Sequence, residues 1–359
     1  MLLAMCEYLD MVYFKDTVAC RTHGKECCWN PRFDAELADL SWLEIAGSTC
    51  VAWSGMGSGD AWLHSSTLPC LVWAYSLRYA QPDAIIHECV PNFLQCRLLE
   101  ILNCLKRSGS RGVPPRCELG RSTRRSEYDV RSLVFSPTAL GIPSKRRRHY
   151  TMFAEKSTLE FKSGIDFIDL FGRDLIVGPV VYACASESLV QAHIAQRVQL
   201  KHDVCASDVC SSAGGLEPEL AFTSGEWIRL QEYKELATTR GHQRGDCWFV
   251  DCALVDLKQT SGFSAAIHSD AAPCLLRGSI VSDLVRDRAL LLEELFVVQG
   301  IPHPAVVGSD ACLAFPFEHW DIEEGESRDL LGNTMHLSAV GSSIMYLVAC
   351  TEKNVRPCL

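Results

Sequence analysis

The run Ala84-Ile85-Ile86-His87-Glu88-Cys89-Val90 places the tightest constraint on the fold of this chain. It is apolar without alternation and too short for a helix, the pattern of a strand buried on both faces of a parallel sheet. Before it, Leu68 to Tyr79 (LPCLVWAYSLRY) carries apolar residues on a helical period and is closed by Gln81-Pro82-Asp83. Earlier still, Trp42 to Gly47 (WLEIAG) is a second short apolar run, broken by Gly47 and Ser48. Strand, helix and strand in this order make a right-handed crossover, which commits the chain to an α/β sheet. Cys50 follows the first strand and Glu88 ends the second, so both fall at the sheet edge where open α/β folds bind ligands.

The rest of the chain reads less regularly. Leu98 to Leu105 has a helical pattern, and Lys106 to Ser126 is a basic, Gly/Ser/Pro-rich exposed loop. Two strands are expected at Val130–Phe135 and His149–Phe153, joined by a turn with Gly141, Pro143 and the run Lys145 to Arg148. From Ala154 to about Leu284 the periodicity is irregular, with short apolar runs such as DLIVGPVVYAC and CWFVDCALVDL, and implies a second, mixed region with strands. A helix is expected over Arg288–Val298, punctuated by Gly300 and Pro302. Asn333 or Thr334 is expected to cap a last helix with Leu337, Val340, Ile344, Leu347 and Val348 on one face.

Charge is unevenly spread. Between Arg97 and Arg148 there are thirteen Lys/Arg against four Asp/Glu, in a chain of net charge -10. A basic face on an acidic body suits a polyanion, while an Arg-rich solvated loop is the plainer reading of residues 106 to 127. No apolar run approaches membrane-spanning length, and the N-terminal MLLAMCEYLDMVYF lacks a basic start, so no membrane partner and an intracellular protein are expected. The nineteen cysteines are odd in number and scattered, which argues for reduced thiols rather than a disulfide framework. Cys20, His23, Cys27 and Cys28 gather four soft ligands in nine residues, but the spacing matches no standard zinc module and no metal is assigned there.

Four blocks, taken in order, resemble the cytosine carbon-5 DNA methyltransferases. Thr49-Cys50-Val51-Ala52-Trp53-Ser54 is similar to the family's Pro-Cys-Gln-x-Phe-Ser, and Glu88-Cys89-Val90 to its Glu-Asn-Val. Gly141-Ile142-Pro143-Ser144-Lys145-Arg146-Arg147-Arg148 is similar to Gly-x-Pro-Gln-x-Arg-x-Arg, and Gly332-Asn333-Thr334-Met335 to Gly-Asn-Ser-Val. The order of these blocks across residues 43 to 348 carries the resemblance, because each block by itself matches readily by chance. Gly55-Met56-Gly57-Ser58-Gly59 is not a dinucleotide fingerprint, since Asp60 stands where its third glycine would be.

The resemblance implies a Rossmann-like, S-adenosylmethionine-dependent methyltransferase fold with an inserted target-recognition region. The expected division is a catalytic region over 1–153 with an incomplete cofactor-binding start, target recognition over 154–324, and a C-terminal segment 325–359 returning to the catalytic region. It implies methyl transfer to carbon 5 of cytosine in DNA, or in RNA, through a covalent cysteine adduct. Cys50 is the expected nucleophile, Glu88 the partner of ring nitrogen 3, and Arg146 and Arg148 the contacts to the base carbonyl. Gly332, Asn333 and Thr334 are expected at the cofactor, and Ser54, Lys145 and Arg147 at the nucleic acid, whose target base must be flipped out or single-stranded. A nuclear protein is expected from such a substrate, and a cytoplasmic one otherwise. The chain departs from the pattern at Ser48-Thr49 in place of the proline, at Cys89 in place of the asparagine, and in lacking a Phe-x-Gly-x-Gly loop before Cys50. The last departure leaves a truncated or divergent enzyme and a catalytically inactive nucleic-acid-binding protein both open.

Overall fold

The computed structural model describes residue 9 and residues 17–20, 25–28, 41–54, 59–103, 127–202, 218–244, 253–261, 270–308 and 324–354. The basic loop at 106–126, His23, Gly55, Gly57 and the side chains of Cys20, Cys27 and Cys28 lie outside the described residues. Two compact units are present. The first comprises residues 1–134, 147–170 and 342–359, and the second residues 135–146 and 171–341.

The first unit holds the hairpin β1 (Thr17–Cys20) and β2 (Lys25–Cys28), then β3 (Leu43–Gly47), α1 (Leu68–Ala80), β4 (Ala84–Cys89) and α2 (Gln95–Asn103). It continues with β5 (Tyr128–Phe135), β6 (Arg148–Glu155), β7 (Leu159–Phe161) and α3 (Phe167–Phe171). The sheet order is β3-β4-β6-β5. β3 and β4 are parallel, with Gly47 opposite Glu88, and β6 runs antiparallel to β4, with Tyr150 opposite Glu88. β4 is buried along its whole length, as an apolar run without alternation requires. Ile85 and Ile86 are fully removed from solvent, each contributing about 1.5–3 kcal/mol of burial. α1 ends where Gln81 turns left-handed (φ 52°) and returns its N–H to the Leu77 carbonyl, which lets the chain re-enter the sheet as β4.

The second unit contains α4 (Glu187–His202), α5 (Ser224–Arg244), β8 (Leu254–Asp256), β9 (Val281–Asp283), β10 (Arg288–Ala289), α6 (Leu292–Val298), α7 (Pro304–Val307) and α8 (Glu324–Asn333). Helix α9 (Leu337–Cys350) starts here and ends in the first unit, where β11 (Thr351–Lys353) pairs with β7. The strands form a small antiparallel sheet in the order β10-β9-β8. Among the described residues no helix is long and apolar enough to cross a membrane.

Three expectations need correction. The irregular region holds two long helices as well as strands. α4 buries Val190, Ile194 and Val198, and α5 buries Leu230, Tyr233 and Ala237; these stripes, about one residue per turn, are narrow beside the polar faces around them. The helix expected from Arg288 begins at Leu292, because Arg288 and Ala289 pair with Asp283 and Ser282 as β10. Glu294 fixes that later start by accepting the Leu291 N–H (2.8 Å) and both guanidinium bonds of Arg288 (2.7 Å each). Finally, Asn333 closes α8 rather than capping the last helix. The buried face of α9 is Ala339, Ser343, Tyr346, Leu347 and Cys350, while Leu337 and Val348 are exposed.

Candidate active site

The carboxyl ends of β3 and β4 and the start of β6 bring Cys50, Glu88 and Arg148 to one edge of the first unit's sheet. Glu88 is the penultimate residue of β4 and shares a sheet face with Tyr150 opposite and Arg148 on the diagonal. Arg148 Nε lies 3.0 Å from Glu88 Oε1, with the two side chains only 12% and 6% exposed. A carboxylate this deep requires such a partner, and a guanidinium supplies it without losing its own charge.

Cys50 is half-buried at the rim of the core. Its turn is tied to β4 by the Ser48 N–H on the Glu88 carbonyl (3.1 Å) and by the Cys89 thiol on the Ser48 carbonyl (3.7 Å). Downstream, the Trp53 and Ser54 N–H groups both bond the Cys50 carbonyl (3.0 and 2.8 Å), winding the chain back immediately after the thiol. Trp53 then anchors the loop in the core, edge-on to Trp62 (5.3 Å) and Phe93 (4.8 Å). Burial drives the Cys89 thiol pKa upward, so Cys89 is held as a neutral hydrogen-bond donor where the family pattern has asparagine. Cys70, pushed up to about 11 by burial, is likewise a protonated packing residue.

Sequence reasoning missed the role of His87. It is fully buried, stacked on Trp73 (5.5 Å) and tilted against Phe93 (4.5 Å), with Nε2 2.6 Å from Ser48 Oγ. Desolvation first, and then the neighbouring His149, hold its pKa down to about 3, so the ring is neutral. A polar residue inside the otherwise apolar strand pattern was the available signal.

The other expected site residues are distributed differently. Arg146, 3% exposed in the second unit, donates Nη1 to the Leu275 carbonyl and Nη2 to the Gly332 carbonyl, both at 3.2 Å. That geometry gives it a main-chain bracing task. Lys145 is half-buried, its N–H on the Ala272 carbonyl (2.8 Å), and burial lowers its amine pKa against the pull of Asp270. Arg147 is exposed and Ser54 half-buried.

Gly332, Asn333 and Thr334 do not form a cradle for S-adenosylmethionine. A Cβ at Gly332 would meet Arg277 N at 2.4 Å, so that side of the glycine is already filled by backbone. The Thr334 hydroxyl donates to the Leu330 carbonyl (2.7 Å), and Asn333 is exposed at the helix end. Among the described residues no cluster of His, Cys, Asp or Glu could hold a metal ion.

No family model matches this sequence, and a search of curated proteins returns no match. Solved structures similar to the chain include methyltransferases. The Dnmt2 methyltransferase of S. pombe is 14% identical, over 97% of this chain and 95% of its own, with a TM-score of 0.44. The methyltransferase EhMeth of Entamoeba histolytica is 12% identical, over 86% and 77%, with a TM-score of 0.42. A DNMT2 variant from Spodoptera frugiperda is 12% identical, over 85% and 79%, with a TM-score of 0.37. At these scores the likeness adds nothing to the chemistry read from the residues.

Proposed function

We propose that this chain acts on cytosine in nucleic acid, forming a covalent adduct between Cys50 and carbon 6 of the ring and so serving methyl transfer to carbon 5. The observation that carries the reading is the buried Glu88–Arg148 pair beside the Cys50 turn, built from three of the four sequence blocks in family order. Carbon 5 of cytosine is a weak nucleophile. When the thiolate sulfur bonds carbon 6, the ring's C5–C6 π pair moves to carbon 5, and Glu88, once it has taken up a proton from solvent, donates it toward nitrogen 3 and relieves the developing negative charge. Arg148 orients Glu88 and offers positive charge near the base carbonyl. After carbon 5 accepts an electrophile it gives up its proton to a solvent water, the C5–H electron pair re-forms the C5–C6 double bond, and the Sγ–C6 bond breaks to restore the thiolate. In the resembled family the methyl donor is S-adenosylmethionine. It would supply the methyl group as the electrophile, and Gly332 and Thr334 offer it no open cradle.

DNA is the proposed substrate, and RNA is the alternative with the same chemistry. The misfit at Gly332 and Thr334 favours a second reading, a catalytically inactive nucleic-acid-binding protein that keeps the fold. The two separate without a methyl donor. An adduct protonated at carbon 5 from solvent and then collapsed exchanges the carbon 5 hydrogen, so single-stranded cytosine oligonucleotides incubated in deuterium oxide should gain deuterium there. Exchange with the native chain and none with Cys50→Ala supports the enzyme reading. Absence of exchange with both DNA and RNA refutes it, and persistence in Cys50→Ala refutes the nucleophile assignment.

A further inference from the structure

We propose that His87 is a positioning residue, which through its hydrogen bond to Ser48 holds the Cys50 turn in the place where the resembled family uses a proline. For its exchange measurement this rests on the function proposed above. The turn from Gly47 to Cys50 leaves the end of β3 without a proline to restrict it, so Ser48 and Thr49 keep backbone freedom that must be lost before the thiol is aimed. Side chains restrict it instead. Ser48 Oγ meets His87 Nε2 at 2.6 Å, and Thr49 Oγ1 donates to the Ser66 carbonyl at 3.1 Å.

The anchor is rigid. His87 sits on the central strand β4, with no exposed surface, between the Trp73 and Phe93 rings, and Trp73 is fixed in turn by its Nε1–H on Glu44 Oε1 (3.1 Å). Among the described residues His87 Nδ1 is buried without a hydrogen-bond partner. An imidazole in this apolar strand is therefore a net expense of desolvation that the Ser48 bond offsets only in part. An alkyl or phenyl side chain would fill the same space without that penalty, so packing does not account for the histidine. Because the ring is neutral, the bond stays unchanged across the physiological pH range, as a fixed brace requires.

The test uses Ser48→Ala, Ser48→Thr and His87→Gln in the full chain. The first readout is the alkylation rate of Cys50 by iodoacetamide, followed by peptide mass spectrometry against exposed Cys96 as an internal reference. Ser48→Ala and His87→Gln should change the Cys50/Cys96 ratio by roughly fivefold or more, while Ser48→Thr, which retains the hydroxyl, keeps it within about twofold. The second readout is deuterium exchange. Ser48→Ala should slow it by about tenfold at unchanged oligonucleotide affinity, since a misplaced nucleophile loses rate rather than binding, and Ser48→Thr should restore it. Should His87→Gln fail to fold, the half-buried Ser48 variants still decide the matter. An alkylation ratio in Ser48→Ala equal to the native one overturns the positioning role. No exchange by the native chain refutes the proposed function instead, and leaves the alkylation ratio to judge the brace.

Discussion

Replacing Gly332 by alanine sets two effects against each other, and the structure decides between them. At the end of α8 alanine gains up to about 1 kcal/mol over glycine in backbone entropy. Its Cβ, however, would stand 2.4 Å from Arg277 N, 2.5 Å from Leu276 C and 2.7 Å from the Leu276 oxygen, all main-chain atoms that cannot swing aside. Restoring contacts of about 3.5 Å means parting the helix from the Leu276–Arg277 strip by roughly 1 Å. Overpacking of this kind costs about 1–3 kcal/mol. The same movement pulls on Arg146, whose guanidinium spans the Leu275 and Gly332 carbonyls, and a hydrogen bond to a charged group contributes about 1.5–3 kcal/mol. With the propensity gain subtracted, a net loss of about 1.5–5 kcal/mol is expected. For a unit of this size that lowers the melting temperature by about 3–20 °C. Thermal unfolding followed by circular dichroism measures it, with Arg146→Met and the double variant to show that the two losses are not additive. An unchanged or raised melting temperature would refute the close-packing account and return Gly332 to the cofactor site, where the same substitution should weaken S-adenosylmethionine binding and leave stability intact.

Other outcomes follow from the first unit. Arg148→Met takes the guanidinium away from the buried Glu88 carboxylate and should destabilise the chain by about 3–5 kcal/mol. Glu88→Gln/Arg148→Met should recover most of that stability yet show no deuterium exchange; exchange in the double variant would show that the pair has no part in the chemistry. For His87 the folded-state pKa, about 3, lies below the unfolded value of about 6.5, so between those limits the unfolded chain binds the extra proton. Its contribution is complete above pH 6.5 and is lost as pH falls, at up to about 1.4 kcal/mol per pH unit. Urea unfolding between pH 6.5 and 5 should therefore be shallower in pH for His87→Gln than for the native chain, and parallel curves would contradict a buried neutral ring.

The elements nearest the site were legible because they obey local rules. WLEIAG, LPCLVWAYSLRY and AIIHECV each show one period and one stop signal, and they became β3, α1 and β4 within a residue or two. The two helices α4 and α5 were not legible, since a stripe of one apolar residue per turn, such as Val190, Ile194 and Val198, is lost among the polar residues between. Arg288 illustrates a different failure. Its neighbours favour helix, but its guanidinium is bound by Glu294 six residues on and its backbone by Asp283, and neither partner is visible in a local window.

The amino-acid sequence by itself determined the crossover unit, the position of Cys50 and Glu88 at strand ends, and the order of the blocks, because these depend on periodicity and on neighbours along the chain. Tertiary structure alone decided which arginine does what. Arg146 and Arg148 are two residues apart and chemically identical, yet one spans the Leu275 and Gly332 carbonyls and the other pairs with Glu88. It also decided that His87 reaches Ser48, thirty-nine positions away. The physical reason is the same in each case: a charged or polar group removed from water takes its role from whichever partner the fold brings within hydrogen-bonding distance, and sequence separation does not limit which partner that is.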